Sequence, residues 1–471
     1  MEAPESSPSP VETIANHDDL LSQILLRVEA KSLLRYKCVS KHWLSLISSP
    51  KFRDRHTLGN PTPPLSAFFF LSTSQRLTFV SLSGSLSFPL DSLPELRRAK
   101  ILQSCNGLLL FGSGGEEASY YVVNPTTFQF SKLPSSPYAY QFDDCLGVAI
   151  AFDPCRTDKV EYQAVAVWRI NPNSLGIGMY TSDSRSWSSG LNVVEFMQEQ
   201  FEVDFHRGVY CNGAIHWLTH KDELFYCHIG DCVDEKEVRG GLVASPVSLV
   251  FDREYRYFGE SCGHLQLIDV FKLCVTQLEV RELEPDYSGW VVKYNVNLYP
   301  MIETYRPCIN EMLSPRDYSG WFVKCKADLD SASYSFQEVV GYYLDRYYKF
   351  VVLAITQEEN GGGPCLLLYF PAKVISYNLR DKTFKELIDL AETQRLLQVE
   401  WLEAYHHMAT LAWSQHNLGL YCSDEVAAGL YLDGTSAVGH ECVVFFPNGE
   451  AKTLALIVHI LPKKLETEKT K

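Results

Sequence analysis

The residues of this chain best suited to nucleophilic or metal chemistry are its 14 cysteines and 13 histidines, and their spacing argues against both uses. The cysteines stand singly, with no Cys-x-x-Cys pair, which reads as buried reduced thiols rather than a disulfide scaffold or a zinc framework. The nearest approach to a ligand set, Cys227-His228 followed by Cys232, lacks a second pair. Gly361-Gly362-Gly363-Pro364 has no following Lys-Ser/Thr, so it reads as a hairpin turn and not as a phosphate loop. His216 beside Trp217, and the pair His406-His407, have no acid or nucleophile that the sequence places next to them, so they read as satisfied structural histidines. The expectation is a protein with no catalytic residue, no metal and no cofactor, whose work is binding.

The elements that would do the binding fall into two textures. Residues 17–57 are helical. Leu20, Leu21, Ile24, Leu25 and Val28 recur at three- and four-residue spacing behind Asp18 and Asp19, which are expected to supply an N-cap and first-turn negative charge. A second helix starts near Lys31-Ser32 with Leu33, Leu34 and Tyr36. A third carries Val39, Trp43, Leu46 and Ile47 and is expected to stop at Ser48-Ser49-Pro50. A unit of roughly 40 residues makes a marginal core, so this surplus of large apolar groups implies a face meant for another protein. The module is also locally basic: Arg27, Lys31, Arg35, Lys37, Lys41, Lys51, Arg53 and Arg55 outnumber Asp18, Asp19, Glu29 and Asp54, within a chain of net charge −15. An acidic bulk disfavours nucleic-acid binding, and a basic helical face suits an acidic protein partner.

After Gly59-Asn60-Pro61-Thr62-Pro63-Pro64, a stiff linker taken as residues 58–64, the chain turns to short runs rich in Phe, Tyr and Val broken by Gly, Asn, Asp, Ser and Pro. CNGLLLF from Cys105, CNGAIHWL from Cys211 and CGHLQLI from Cys262 each place a Gly before a strand. The first gap is twice the second, as blades of roughly 50 residues with one degenerate copy would give. VVNPTTFQF, YTSDSRSW and ISYNLRDKTF form a second class that ends in an aromatic after a polar turn. Together they predict a β-propeller with a Gly-led inner strand and an aromatic-bearing outer strand per blade. DYSGWVVKYNVNL from Asp286 returns as DYSGWFVKCKADL from Asp317, identical at eight of thirteen positions with an offset of 31. A blade has room for one such strand, so the first copy is expected in an exposed insertion and the second in the blade.

Residues 17–57 resemble the F-box, the helical module that docks on the Skp-type adaptor of cullin-RING ubiquitin ligases. The resemblance lies in DDLLSQIL and in KSLLRYKCVSKHWLSLISSPKF, with two departures: Asn16-His17 stands where the family carries Leu-Pro, and Glu29 where it carries Pro. SCNGLLLF, YYVVNPTTFQFSKLP, AIAFDP, GVYCNGAIHWL, RYFGESCGHLQLI, YSGWFVK and VISYNLRDKTFKEL resemble, in order, the kelch-like F-box-associated propeller of plant F-box proteins. The implied fold is multidomain, α plus all-β: a disordered tail at residues 1–16, a three-helix F-box at 17–57, a propeller at 65–413 that includes the duplicated segment 286–329, and an extension at 414–471 that closes the last blade, packs outside it or stays loose.

The resemblance implies a substrate-recognition subunit of a Skp-cullin-F-box ubiquitin ligase. Leu20, Leu21, Ile24, Leu25, Leu33, Leu34, Val39 and Trp43 form the pool from which adaptor contacts and module core are drawn. The propeller would bind a protein target by residues the sequence does not identify. Partners would be the adaptor and, through it, cullin and RING subunits, with neither nucleic acid nor membrane involved. Two alternatives stay open: a propeller enzyme or ligand-binding protein with a vestigial F-box, and an adaptor-bound scaffold that delivers no target. Residues 1–16 show no secretory signal and Leu454 to Leu461 is too short to span a bilayer, so a cytoplasmic or nuclear location is expected.

Overall fold

The computed structural model describes residues 17–72, 77–82, 96, 99–113, 118–140, 145–156, 158–188, 190, 192–195, 203–219, 221–229, 240–244, 253–271, 276–312, 350–358, 362–370, 373–390, 401–412, 440–445 and 451–456. The tail 1–16 and the second repeat copy, 317–329, lie outside these residues.

The N-terminal module holds four helices: α1 Asp18–Leu25, α2 Ala30–Tyr36, α3 Lys41–Ser48 and α4 Pro50–Gly59. The acids Asp18 and Asp19 occupy the first turn of α1, where the helix dipole favours them. The N-cap position itself is His17, and its side chain makes no cap bond. Ser40 caps α3, its Oγ accepting from Trp43 N at 3.1 Å. The expected stop at Ser48-Ser49-Pro50 does end α3 and also starts a fourth helix. Ser49 Oγ accepts from Phe52 N at 3.3 Å, and Pro50 sits at the first helical position, where its missing N–H costs nothing. Helix therefore continues into the expected linker, as far as Gly59. α4 is fastened to the α1–α2 connection by His56 Nε2, which donates to Val28 O at 2.7 Å, and by Asn60 Nδ2, which donates to Leu26 O at 3.1 Å. Leu21, Leu25, Ala30, Leu33, Ile47 and Phe52 form the module's core together with Leu411 from the far end of the chain.

Six antiparallel sheets follow, arranged as a six-bladed propeller. The first blade holds β1 Leu65–Ser72 and β2 Leu77–Ser81. The second holds β3 Ala99–Cys105, β4 Leu108–Ser113, β5 Ser119–Asn124 and β6 Gln129–Lys132. The third is built from β7 Cys145–Phe152, β8 Tyr162–Asn171, β9 Ser174–Thr181 and β10 Ser186–Trp187, with β11 Asn192–Glu195 also on β9. The fourth comprises β12 Val209–Cys211, β13 Ala214–Leu218, β14 Leu224–His228 and β15 Gly240–Val243. The fifth comprises β16 Arg253–Ser261, β17 His264–Phe271, β18 Gln277–Leu283 and β19 Trp290–Asn297. A helix, α5 Tyr299–Met312, precedes the sixth: β20 Val351–Gln357, β21 Pro364–Phe370, β22 Lys373–Asn378 and β23 Phe384–Asp389. The chain then returns to the first blade, where β24 Trp401–Met408 pairs with β1. β24, β3, β7, β12, β16 and β20 are neighbours in sequence around the channel, so β24 closes the ring as the first blade's inner strand. The hairpin β25 His440–Phe445 and β26 Ala451–Leu456 pairs with itself, so among the described residues it is β24 that closes the ring.

Blades stack face to face, so their middle strands are buried on both sides and read as unbroken apolar runs such as β21. In the second, fourth and fifth blades the Gly-led motif starts the second strand, not the inner one as expected. Asn106-Gly107, Asn212-Gly213 and Cys262-Gly263 have positive φ at both residues, the two-residue hairpin that matches strand twist. The degenerate copy is the third blade, where residues 153–161 replace the tight turn between β7 and β8. Glycine is required at Gly107, where φ is +93° and a Cβ would lie 2.5 Å from Met408 O. The aromatic-ending strings are the turns from third to fourth strand, with positive φ at Phe128, Arg185 and Lys382.

The repeat departs furthest from expectation. Its first copy is the outermost strand of the fifth blade, with β19 paired to β18 from Trp290 to Asn297. Val296 and Leu298 enter the core shared by the fifth and sixth blades, and Met301 and Ile302 of α5 join them there. The described part of the expected exposed insertion, from Asp286 through Ile302, is therefore integral to the blade and its core.

Candidate partner-docking site

The four pooled residues of α1 separate by helical phase. Leu21 and Leu25 point inward, while Leu20 and Ile24, also four residues apart and so on one stripe, are 42% and 49% exposed. Leu33 is buried, Leu34 and Trp43 are half-buried, and Val39, between α2 and α3, is 45% exposed. Trp43 packs edge-on to Tyr36 with centroids 5.8 Å apart, and His42 Nε2 lies 3.2 Å from Asp18 Oδ1, tying α3 to α1. The module thus presents three large apolar side chains to solvent that its own core does not use. Glu29, where a proline would be usual, has φ −58° and ψ 146°, a conformation proline adopts without strain. His17, at φ −107°, does not share it.

The histidines singled out by sequence are occupied by structural tasks. On β13, His216 Nδ1 donates to Val209 O at 3.2 Å and Nε2 accepts from Tyr287 OH at 2.8 Å. Its ring stacks on that of Tyr287, which in turn stacks on Tyr226 at 4.1 Å. Burial holds the imidazole neutral, down to about 4. Tyr287 opens the first repeat copy, so the DYSGW string works as a clasp between the fourth and fifth blades. His406 and His407 lie on β24, where burial lowers both, to about 4 and about 3. His407 Nε2 is 3.1 Å from Thr126 Oγ1. Burial pushes the Cys105 and Cys211 thiols up to about 12, which leaves them as inert core groups.

Two features were missed by sequence reading. Asp222 and the fully buried Asp269 are bridged by Arg256 at 2.6 and 2.5 Å, and Arg253 donates two bonds to Asp222 at 2.7 and 2.8 Å. This network joins the fourth and fifth blades, and its only trace in sequence is two arginines in REYRYF. The second feature is where the module sits. First-to-second and third-to-fourth turns emerge on one face of a propeller, because alternate strands run in opposite directions. Lys31 Nζ bonds Ser81 Oγ at 3.2 Å, at the end of β2, and Arg53 NH1 bonds Gln129 Oε1 at 3.1 Å, at the start of β6. Both contacts lie on that face, so the second-to-third and fourth-to-first connections open on the other.

The F-box domain model matches residues 17–55 and the F-box associated beta propeller domain model matches residues 69–237. F-box protein At5g07610 of Arabidopsis thaliana is 30% identical over 414 residues, covering 81% of this chain and 88% of that protein. This chain belongs to the F-box proteins with an F-box-associated β-propeller. Further Arabidopsis thaliana relatives match over shorter spans: F-box protein At5g49610 at 28% identity (43% of this chain, 57% of that protein) and F-box/kelch-repeat protein At3g23880 at 26% (43% and 58%). For the F-box, the match covers α1 to α3 and most of α4, and with them all three exposed apolar residues. Among the described residues no helix is long and apolar enough to cross a membrane.

Proposed function

We propose that this F-box protein is the substrate-recognition subunit of a Skp-cullin-F-box ubiquitin ligase, non-catalytic in itself. The observation that carries this reading is the solvent-facing set Leu20, Ile24 and Val39 on a module whose core is already formed by Leu21, Leu25, Leu33, Ile47 and Phe52. The half-buried Leu34 and Trp43 add to the adaptor-docking surface, whereas Leu21, Leu25 and Leu33 support it from the core. Through the adaptor the chain joins cullin and RING subunits. The propeller holds a protein target on the face opposite the module, where the longer connections between blades collect and where loop variation tunes recognition without disturbing the sheets.

The test is capture of a purified Skp-type adaptor by the full chain carrying Leu20→Asp and Ile24→Asp. Both positions are exposed, so helix content and melting temperature should hold. Truncating interface anchors costs about 2 kcal/mol or more, equivalent to roughly 30-fold in Kd, and the charges add to that loss. An unchanged Kd in the folded variant rules out this face as the dock. Leu25→Ala with Leu33→Ala should instead lose module stability and adaptor capture together, because both side chains are core.

A further inference from the structure

Residues 409–412 leave the propeller's closing strand and run between the propeller and the helical module, and consecutive side chains there enter different cores. Leu411 is 1% exposed and packs among Leu21, Leu25, Leu33, Ile47 and Phe52; Ala412, equally buried, packs among Cys105, Leu108, Leu110 and Val122. The backbone between them is clamped by the second blade. Asn124 Nδ2 donates to Thr410 O at 3.0 Å and to Ala412 O at 2.7 Å, while its Oδ1 accepts from Thr126 N and Thr127 N within the same turn. Thr410 N donates to Thr126 Oγ1 at 3.3 Å, and Gly107 leaves room for Met408 O and the Thr410 side chain. The other contacts across the seam named above, Lys31 to Ser81 and Arg53 to Gln129, are single polar bonds. Among the described residues the buried atoms Arg53 Nε, His56 Nδ1 and Thr57 Oγ1 of α4 have no hydrogen-bond partner, which marks that part of the seam as weakly cohesive.

We propose that residues 410–412 form a positioning strap that locks the helical module to the propeller in one orientation, with Leu411 as the plug and Asn124 as the clamp. Without the strap the module would hang from the 60–64 connection and single polar bonds such as Lys31 to Ser81 and Arg53 to Gln129, and relative motion is the default for domains joined so. A receptor has to present its target at a fixed distance from the transfer machinery, and the strap sets that geometry. This reading rests on the adaptor-docking proposal for its purpose, but its measurement does not: module orientation is read without any partner.

The experiment uses the full chain with fluorophores at exposed Arg55 and Asn173, and compares the distribution of their separation in the parent and in Leu411→Ala, Leu411→Val and Leu411→Met. The parent should give one narrow distribution. Leu411→Ala should broaden it roughly twofold or more, Leu411→Val should fall between, and Leu411→Met, which refills the site, should restore it. If Leu411→Ala fails to fold, Leu411→Val carries the comparison. A distribution as narrow in the folded Ala or Val variant as in the parent overturns the strap. Adaptor affinity measured on the same samples separates the two readings: a parent chain that binds no adaptor yet broadens on Leu411→Ala defeats the docking proposal and leaves the strap standing.

Discussion

Removing residues 286–316, which joins Pro285 to Asp317, yields a chain that does not fold to a cooperative propeller. From sequence alone the cut restores a single copy of DYSGW in register and would be harmless. The structure changes the expectation, because the deleted copy is β19 and carries Tyr287 to His216, Val296 and Leu298 to the core, and Met301 and Ile302 of α5 beyond it. The remaining copy reproduces the clasp with Tyr318 and Trp321. At the same offset it offers Cys325 for Tyr294, Ala327 for Val296, Ala332 for Met301 and Ser333 for Ile302. Large-to-small changes of this kind in a core cost about 2 kcal/mol or more each, so the four together forgo roughly 8 kcal/mol against a total stability of about 5–15. The check is the thermal unfolding of the purified product. A soluble chain melting cooperatively within a few degrees of the parent would show the two copies to be equivalent occupants of the outer-strand slot.

Stability should fall as pH drops from about 6.5 to 5, before ordinary carboxylates titrate. His216 is buried with its imidazole held down to about 4, and His406 and His407 on the closing strand are lowered likewise. A histidine whose folded value is depressed binds its proton more readily when unfolded, so the unfolded chain gains protons first as pH falls, and stability is lost between the unfolded and folded values. For His216 alone this is about 2 kcal/mol at pH 5 and about 3 kcal/mol when complete. Glu260, whose carboxyl burial pushes up, acts in the opposite direction, because its folded form takes up a proton before its unfolded form does. Urea unfolding at pH 7.5 and 5 measures the difference, and His216→Gln, which keeps a donor and an acceptor, should flatten the slope. Equal stability at the two pH values would mean that His216 is hydrated in solution and does not form the clasp.

The parts of this molecule that are legible in its sequence are those fixed by local rules. Helical spacing marks Leu20, Leu21, Ile24, Leu25, Leu33 and Leu34 as the apolar residues of the module without dividing core from surface, and Asn106-Gly107 and Asn212-Gly213 announce hairpins because few other pairs tolerate two positive φ angles. Ser49-Pro50 is a stop for α3 and equally a start for α4, since a capping serine and an N1 proline serve the next helix as well as they end the last. Leu20 and Leu21 are chemically alike, and only the packing of α3, α4 and Leu411 decides which of them faces water. The closing strand β24, with its His406-His407 pair, carries no repeat motif: it finds its place by pairing with β1 more than 300 residues away. Asn124 within NPTT was a weak signal by itself because its partners, Thr410 and Ala412, are remote in sequence.

The central claim, a target held by the propeller and consumed through the helical module, is tested most directly by following a propeller-bound protein in cells. The full chain and its Leu20→Asp/Ile24→Asp variant are each expressed, the proteins retained by both are identified, and their half-lives are measured. The account predicts at least one protein bound equally by both chains whose half-life is several-fold longer with the variant. Shared partners whose turnover is identical with the two chains would contradict it.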